Sequence, residues 1–216
     1  MQYHTVLFDL DGTVTNPAVS ITKSVQYALE AMGIAVHDRS SLLRFIGPPL
    51  TESFMEFYGM SAEEAAFAVV KYRERYASVG IRETEVYDGM AAFLSALCAG
   101  GLTLAVATSK PEIYSRKILD DLGLSQYFAV ITGSELSGER SQKAEVIAET
   151  LRRLHLDSAN GVVMVGDRKH DIIGAKSCAM RSVGVRWGFA PAGELETSGV
   201  DVICDSLAAL QAYLLQ

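Results

Sequence analysis

Short apolar, β-branched runs recur along this chain with stretches of helical periodicity between them, and that alternation admits few architectures. Thr5–Leu10, Leu102–Thr108, Ala129–Thr132, Gly161–Val165, Ser182–Val185 and Val200–Cys204 read as strands, bounded by turn residues. Met90–Ala99, Glu112–Leu122, Lys143–Leu154, Asp171–Ala179 and Leu207–Leu214 read as amphipathic helices. Strands separated by helices predict an α/β fold with a parallel sheet covered on both faces. The near-continuous apolarity of LTLAVA and GVVMV agrees, since such strands have no face turned to water.

One section breaks the alternation. From about Pro17 to Glu85 the pattern is helical and no run reads as a strand. Ile21, Val25, Ala28, Leu29 and Met32 fall at helix spacing, closed by Gly33. SLLRFIG predicts a shorter helix stopped by Gly47-Pro48-Pro49. TESFMEFYG and SAEEAAFAVVKYRERYASVG follow, with Ser61 and Glu64 spaced for a capping box. So long a helical stretch directly after the first strand does not fit into the sheet layers. We expect residues 1–15 and 86–216 to form the α/β core and 16–85 a helical unit mounted over the sheet's edge, with hinges near Thr15–Pro17 and Thr84–Tyr87.

Composition narrows the function. The 216 residues are 49% hydrophobic, ordinary for a globular chain, and 19 basic against 26 acidic side chains give a net charge of −7. Such a chain has no general attraction for nucleic-acid backbones or anionic membranes, so neither partner is expected. A small anionic ligand is still compatible, because local cations override net charge. No apolar run approaches the ~18 residues of a membrane span, and the first run is interrupted by Asp9 and Asp11, so the expected location is cytoplasmic. Cys98, Cys178 and Cys204 sit in apolar stretches, too scattered for a disulfide framework or zinc cluster, and each reads as a buried inert thiol.

The chemistry concentrates at strand ends. Phe8-Asp9-Leu10-Asp11-Gly12-Thr13-Val14 puts two carboxylates at the carboxyl end of the first strand, where ligands bind in open α/β sheets. Two such charges side by side are costly unless a cation or proton is shared, and Mg²⁺ is the natural oxygen-loving candidate; the plain alternative makes them turn formers and helix caps. Gly166-Asp167-Arg168-Lys169-His170-Asp171 repeats the arrangement after a later strand, Asp171 being placed in a helix's first turn. Ala107-Thr108-Ser109-Lys110-Pro111 offers hydroxyls and N–H donors to an anion, although Ser and Thr before Pro are also ordinary helix-entry residues. Lys143, at the start of a helix, is either a solvated lysine or the group that neutralises these carboxylates.

In order and spacing these motifs resemble those of the haloacid dehalogenase-like (HAD) phosphohydrolase superfamily, over the whole chain. The resemblance implies a Rossmann-like core with the Asp9 strand flanked by those bearing Thr108 and Asp167, and makes the helical insertion a C1-type cap. It implies that Asp9 is a nucleophile forming an aspartyl-phosphate, and Asp11 the general acid and then base. Thr108 and Lys143 would hold the transferring phosphoryl group, with Gly12, Thr13, Ser109 and Lys110 around the substrate. Mg²⁺ would be bound by Asp9, Asp167 and the main-chain carbonyl of Asp11, with Asp171 holding its water shell or orienting Lys143. Family members that cleave carbon–halogen bonds lack the second aspartate, so Asp11 implies phosphoester chemistry.

Substrate choice in this family rests largely on the cap. Arg44 through Phe54, with its rigid Gly-Pro-Pro, is the most distinctive cap sequence here; Arg44 serves either an anionic group of the ligand or only the solvated side of an interhelix turn. With GDRKHDI and SQKAEVI this segment resembles a 5′-nucleotidase-like group of the phosphoglycolate-phosphatase-like branch. The expected activity is hydrolysis of a small phosphorylated metabolite, a nucleoside 5′-monophosphate first, by a monomer or homodimer. Phosphoglycolate hydrolysis, a phosphosugar mutase and a non-enzymatic phospho-aspartate signalling module are the alternatives. His4, His37 and His155 read as surface or strand-end residues, His170 as a loop residue, and Trp187 as either site rim or packing.

Overall fold

The computed structural model describes residues 2–216, which divide into two compact units, 2–15 with 86–216 and 16–85. The first unit is built on six parallel strands: β1 (Thr5–Phe8), β4 (Thr103–Pro111), β5 (Val130–Ser134), β6 (Val162–Gly166), β7 (Arg181–Val185) and β8 (Val202–Cys204), in the order β5-β4-β1-β6-β7-β8. Two further strands, β2 (Thr15–Asn16) and β3 (Glu85–Val86), pair as a short ribbon where the chain leaves and re-enters this unit.

Alternation along β1 explains the layering. Val6 and Phe8 point to one face and pack with Val106, Val165, and Phe93 and Leu94 of helix α4 (Met90–Ala99). Leu7 points to the other face and packs with Ala105, Met164, and Val146 and Ile147 of α6 (Lys143–Arg153). The same second face receives Ala175 of α7 (Lys169–Ser177), and the first receives Leu210 and Leu214 of α9 (Leu207–Leu214). The sheet is therefore buried on both sides. Its register aligns the carboxyl ends that matter: Phe8 lies opposite Val106 on β4 and Val165 on β6. Residues just beyond these ends converge.

The second unit holds α1 (Ala18–Ala31), a 3₁₀ segment over Arg39–Phe45, α2 (Leu50–Tyr58), α3 (Ala62–Ser78) and a 3₁₀ turn over Gly80–Glu83. Its core contains Val25, Leu29, Leu42, Phe45, Phe54, Ala68, Tyr72 and Tyr76. The segment expected as a short helix at SLLRFIG is a 3₁₀ helix, begun by the Asp38 carboxylate accepting from Ser40 N at 2.9 Å and ended before Gly47-Pro48-Pro49. Ser61 and Glu64 do form the capping box of α3. Glu83 ties this unit together, accepting from Lys23 Nζ at 2.8 Å and Arg75 Nη1 at 2.9 Å. Of the three thiols expected to be buried, Cys204 is, Cys178 is half-buried and Cys98 is exposed; an apolar helix can still turn a small side chain outward.

Helix α5 (Glu112–Asp121) follows β4 directly, and a five-residue helix α8 (Glu194–Ser198), too short to announce itself by periodicity, lies between β7 and β8. Leu94→Ala, at a position with no exposure, should lower unfolding stability by about 2–5 kcal/mol. Ser61→Ala, an exposed cap, should cost only about 1 kcal/mol. Denaturant titration of each variant checks the order, and equal costs would contradict it.

Candidate active site

Asp9 stands one residue beyond β1, its N–H donating to the Val165 carbonyl at 2.9 Å, so its carboxylate is carried on the end of the sheet's central strand. Asp167 stands one residue beyond β6, and Thr108 lies near the end of β4, buried. Helices on the second face supply the other two groups. Lys143 is the first residue of α6 and Asp171 lies in the first turn of α7.

These side chains meet. Lys143 Nζ lies 2.7 Å from Asp9 Oδ1 and 2.8 Å from Asp171 Oδ1, and donates to the Ala107 carbonyl at 3.1 Å. Asp9, Asp167 and Asp171 each offer a carboxylate oxygen within 4.8 Å of the other two, and all three are buried. Asp167 accepts from Thr13 Oγ1 at 3.3 Å and from Phe189 N at 2.7 Å. Close approach is made possible by glycine. A Cβ on Gly12, whose φ is +88°, would fall 2.2 Å from Asp167 Oδ2, and one on Gly188 would fall 2.2 Å from Asp167 Cβ.

Asp11 takes a different partner. Its Oδ2 lies 2.5 Å from Lys110 Nζ, while Oδ1 is buried with no hydrogen bond among the described residues. Thr108 Oγ1 accepts the Lys110 N–H at 3.2 Å, and the Ser109 carbonyl accepts from Ser134 Oγ at 2.8 Å, which holds the end of β4. Ten of the expected residues (Asp9, Asp11, Gly12, Thr13, Thr108, Ser109, Lys110, Lys143, Asp167 and Asp171) thus lie in the α/β unit, along β4 and just beyond strand ends or at helix starts. Arg44 belongs to the helical unit, where its guanidinium stacks 4.3 Å from the centroid of Phe57.

The electrostatics of the cluster suit a bound cation. Burial raises the Asp167 carboxyl well above its ordinary value, and the charges of Asp171 and Asp9 raise it further. Burial also raises Asp171 and Asp11 against the pull of their lysines. Burial alone would lower the Lys143 ammonium, but Asp171 and Asp9 outweigh it and hold the lysine charged. With all groups ionised, Asp9, Asp167 and Asp171 carry three negative charges against the one of Lys143, while Lys110 and Asp11 balance. One divalent cation closes that sum, and the all-oxygen donor set suits a hard ion such as Mg²⁺. The residues present fit the group.

Tyr87 and Glu194 also adjoin the site, with no sequence signal of their own. Trp187 Nε1 donates to the Thr13 carbonyl at 3.1 Å, so of its two readings it serves the loop after Asp11. Tyr87 donates to the Trp187 carbonyl at 3.3 Å, and burial with the nearby Asp167 and Asp11 charges raises its hydroxyl pKa. Arg168, buried, and Glu194, half-buried, pair beside the Asp167 loop at 2.8 Å. His170 is half-buried, and burial with Arg168 and Lys169 lowers its pKa.

Comparison with known proteins bears on this site. The sequence model of the family described as haloacid dehalogenase-like hydrolase matches residues 6–185. A 5′-nucleotidase of Pseudomonas aeruginosa is 42% identical over 214 residues, covering 99% of this chain and 96% of that protein. The tyrosine-protein kinase PtkA of Mycobacterium tuberculosis is 38% identical over 199 residues, covering 92% of this chain and 67% of that protein. The crystal structure of a predicted phosphatase from Clostridium acetobutylicum superposes with a TM-score of 0.96 at 43% identity, covering 100% of this chain and 99% of that one.

The raised Asp167 carboxyl gives a pH prediction. Between its ordinary unfolded value, about 4, and its higher folded value, the native state binds a proton that the unfolded chain does not. Its contribution therefore destabilises the fold increasingly as pH rises towards neutrality. Without divalent cations, Asp167→Asn should melt above the wild type at pH 7, and the gap should close as pH falls through that window. Added Mg²⁺ should raise the melting midpoint of the wild type and not of the variant. Calorimetric melts across pH, with and without Mg²⁺, check both statements.

Proposed function

Because the chain belongs to the haloacid dehalogenase-like hydrolase family and is one of its phosphatases, we propose that it is a Mg²⁺-dependent phosphomonoesterase whose strand-end carboxylates split a small phosphate ester in two steps. The observation that carries this reading is the buried trio of carboxylates sharing a single lysine at the end of the central strand.

Asp9 attacks phosphorus in line with the ester oxygen, forming an aspartyl-phosphate as the P–O bond to the leaving group breaks. Asp11, raised by burial, gives its proton to the departing oxygen. It then takes a proton from the water that attacks the aspartyl-phosphate, releasing inorganic phosphate and restoring Asp9. Lys110 faces Asp11 in the resting site, and transfer of that lysine to the incoming phosphate frees the carboxyl to hold its proton. Lys143 keeps Asp9 correctly aimed, and Thr108 and the N–H groups that follow it bind the phosphoryl oxygens. Asp9, Asp167 and the Asp11 carbonyl would hold Mg²⁺, with Asp171 orienting Lys143 from the other side. The ion supplies screening of the negative charge that otherwise repels a phosphate dianion from Asp9.

The preferred substrate is a nucleoside 5′-monophosphate, in keeping with the motif resemblance and with the 5′-nucleotidase relative; phosphoglycolate is the alternative. The helical unit acts as the cap, and the expected setting is the cytoplasm. The test is phosphate release from nucleoside monophosphates, phosphoglycolate, sugar phosphates and pyrophosphate, with Mg²⁺ and with chelator. Release should depend on the metal and be fastest with a nucleoside monophosphate. Asp9→Asn should lower kcat by at least about 10³-fold, as expected for a lost nucleophile, and Thr108→Val by about 10²-fold, as for one lost oxyanion donor. Release that persists in Asp9→Asn, or that ignores chelator, contradicts the reading.

A further inference from the structure

The segment after β7 grips Asp167 from two sides. Phe189 N–H donates to Asp167 Oδ2 at 2.7 Å, and the absent side chain of Gly188 lets the backbone come that close. The other oxygen, Oδ1, accepts from Thr13 Oγ1 at 3.3 Å, long for a hydroxyl bond, so that oxygen is held only as firmly as the Thr13 backbone itself. The turn carrying Thr13 is closed locally, Gly12 N–H donating to the Thr15 carbonyl at 2.7 Å and Val14 N–H to the Leu10 carbonyl at 3.0 Å. Those bonds give it shape without joining it to the segment after β7. Trp187 makes that join, its Nε1–H donating to the Thr13 carbonyl at 3.1 Å. The indole is half-buried against the apolar core on the sheet's first face, and the Trp187 carbonyl accepts from the Tyr87 hydroxyl at 3.3 Å. One residue thus steadies, through its side chain, the donor to Oδ1 and, two positions along its backbone, the donor to Oδ2.

We propose that Trp187 is a positioning residue for the divalent-cation site: its indole N–H holds the Thr13 turn so that Thr13 and Phe189 together aim the two oxygens of Asp167. This rests on the divalent-cation reading above. The indole N–H is engaged by the Thr13 carbonyl, so it acts on Asp167 through that turn. A carboxylate whose donors are loose can rotate its oxygens away from a cation, and hydrogen-bond partners behind a metal ligand carry about 10- to 100-fold in affinity. Such coupling runs both ways. If the bond from Trp187 to Thr13 strengthens Mg²⁺ binding, bound Mg²⁺ strengthens that bond by the same factor.

Mg²⁺ binding to the full chain, measured by titration calorimetry without substrate, tests this. Trp187→Phe keeps an aromatic ring but loses the donor, and should weaken binding by about tenfold or more, as should Thr13→Val, which loses the hydroxyl. Thr13→Ser keeps the hydroxyl and should stay within about twofold of the wild type. Because Trp187 acts through Thr13, the double variant Trp187→Phe/Thr13→Val should be within about twofold of Thr13→Val alone, whereas a packing role makes the two losses multiply to about 100-fold. The wild type offers a test without mutation. Trp187 is the only tryptophan of the chain, so its indole N–H gives one side-chain signal in a nitrogen–proton correlation spectrum. Exchange of that proton with water should slow by about tenfold or more as Mg²⁺ saturates the site. Wild-type affinity in Trp187→Phe, multiplied losses in the double variant, or an indole exchange rate that Mg²⁺ leaves unchanged would each overturn the inference while leaving the phosphatase reading intact. A wild type that binds no Mg²⁺ would overturn the divalent-cation reading and this inference with it.

Discussion

Lys143 is the interaction on which the site depends. Its ammonium lies between Asp9 and Asp171, in a place largely withdrawn from water. Three buried carboxylates would repel one another apart or take up protons; one lysine partly offsets them and leaves a deficit of charge. The deficit makes the site useful. A fully neutralised cluster would be a structural ion pair, whereas an under-neutralised one attracts a divalent cation and, through it, a phosphate dianion.

The fold is arranged to hold that imbalance. Parallel strands deliver Asp9, Asp167 and Thr108 to one end of the sheet in register, and the helices behind them deliver Lys143 and Asp171 from their first turns. Layers of Leu, Val and Ile on both faces, from Phe8 and Phe93 on one side to Leu7 and Ile147 on the other, make those ends rigid. Small residues let the loops close over the carboxylates, Gly12 and Gly188 lying where any side chain would strike Asp167. Around the rim, Trp187, Tyr87 and the Arg168–Glu194 pair hold the loops that carry the carboxylates. Binding and transfer of a phosphoryl group ask for positioning and charge more than for covalent chemistry, and this architecture supplies both.

Much of this was legible in the sequence, for identifiable reasons. Apolar period and β-branching mark each core strand to within a few residues, because burial on both faces leaves little compositional freedom at β4 or β6. Asp9, Asp11 and Asp167 stand out because carboxylates clustered at strand ends are costly, whereas Lys143, at a helix start, reads alone as a solvated lysine and gains meaning only beside them. Contacts between distant segments were not legible. Glu194 is an ordinary glutamate in a Gly-flanked stretch, and its bond to Arg168, 26 positions away, follows only from the return of the chain after β7. Lys110 facing Asp11 depends on how the end of β4 bends, with a register shift between Ala107 and Pro111 that no periodicity encodes. Cys98 shows the opposite error, an apolar neighbourhood that does not bury every member.

The central claim is that the buried carboxylates are one charge-deficient site for one divalent cation. Mn²⁺ binding followed by electron paramagnetic resonance tests it directly, since the free ion's signal falls as the ion is bound. The account predicts a single site per chain, displaced by Mg²⁺ and lost in Asp167→Asn. Several weak sites per chain, or a tight site that survives Asp167→Asn, would contradict it.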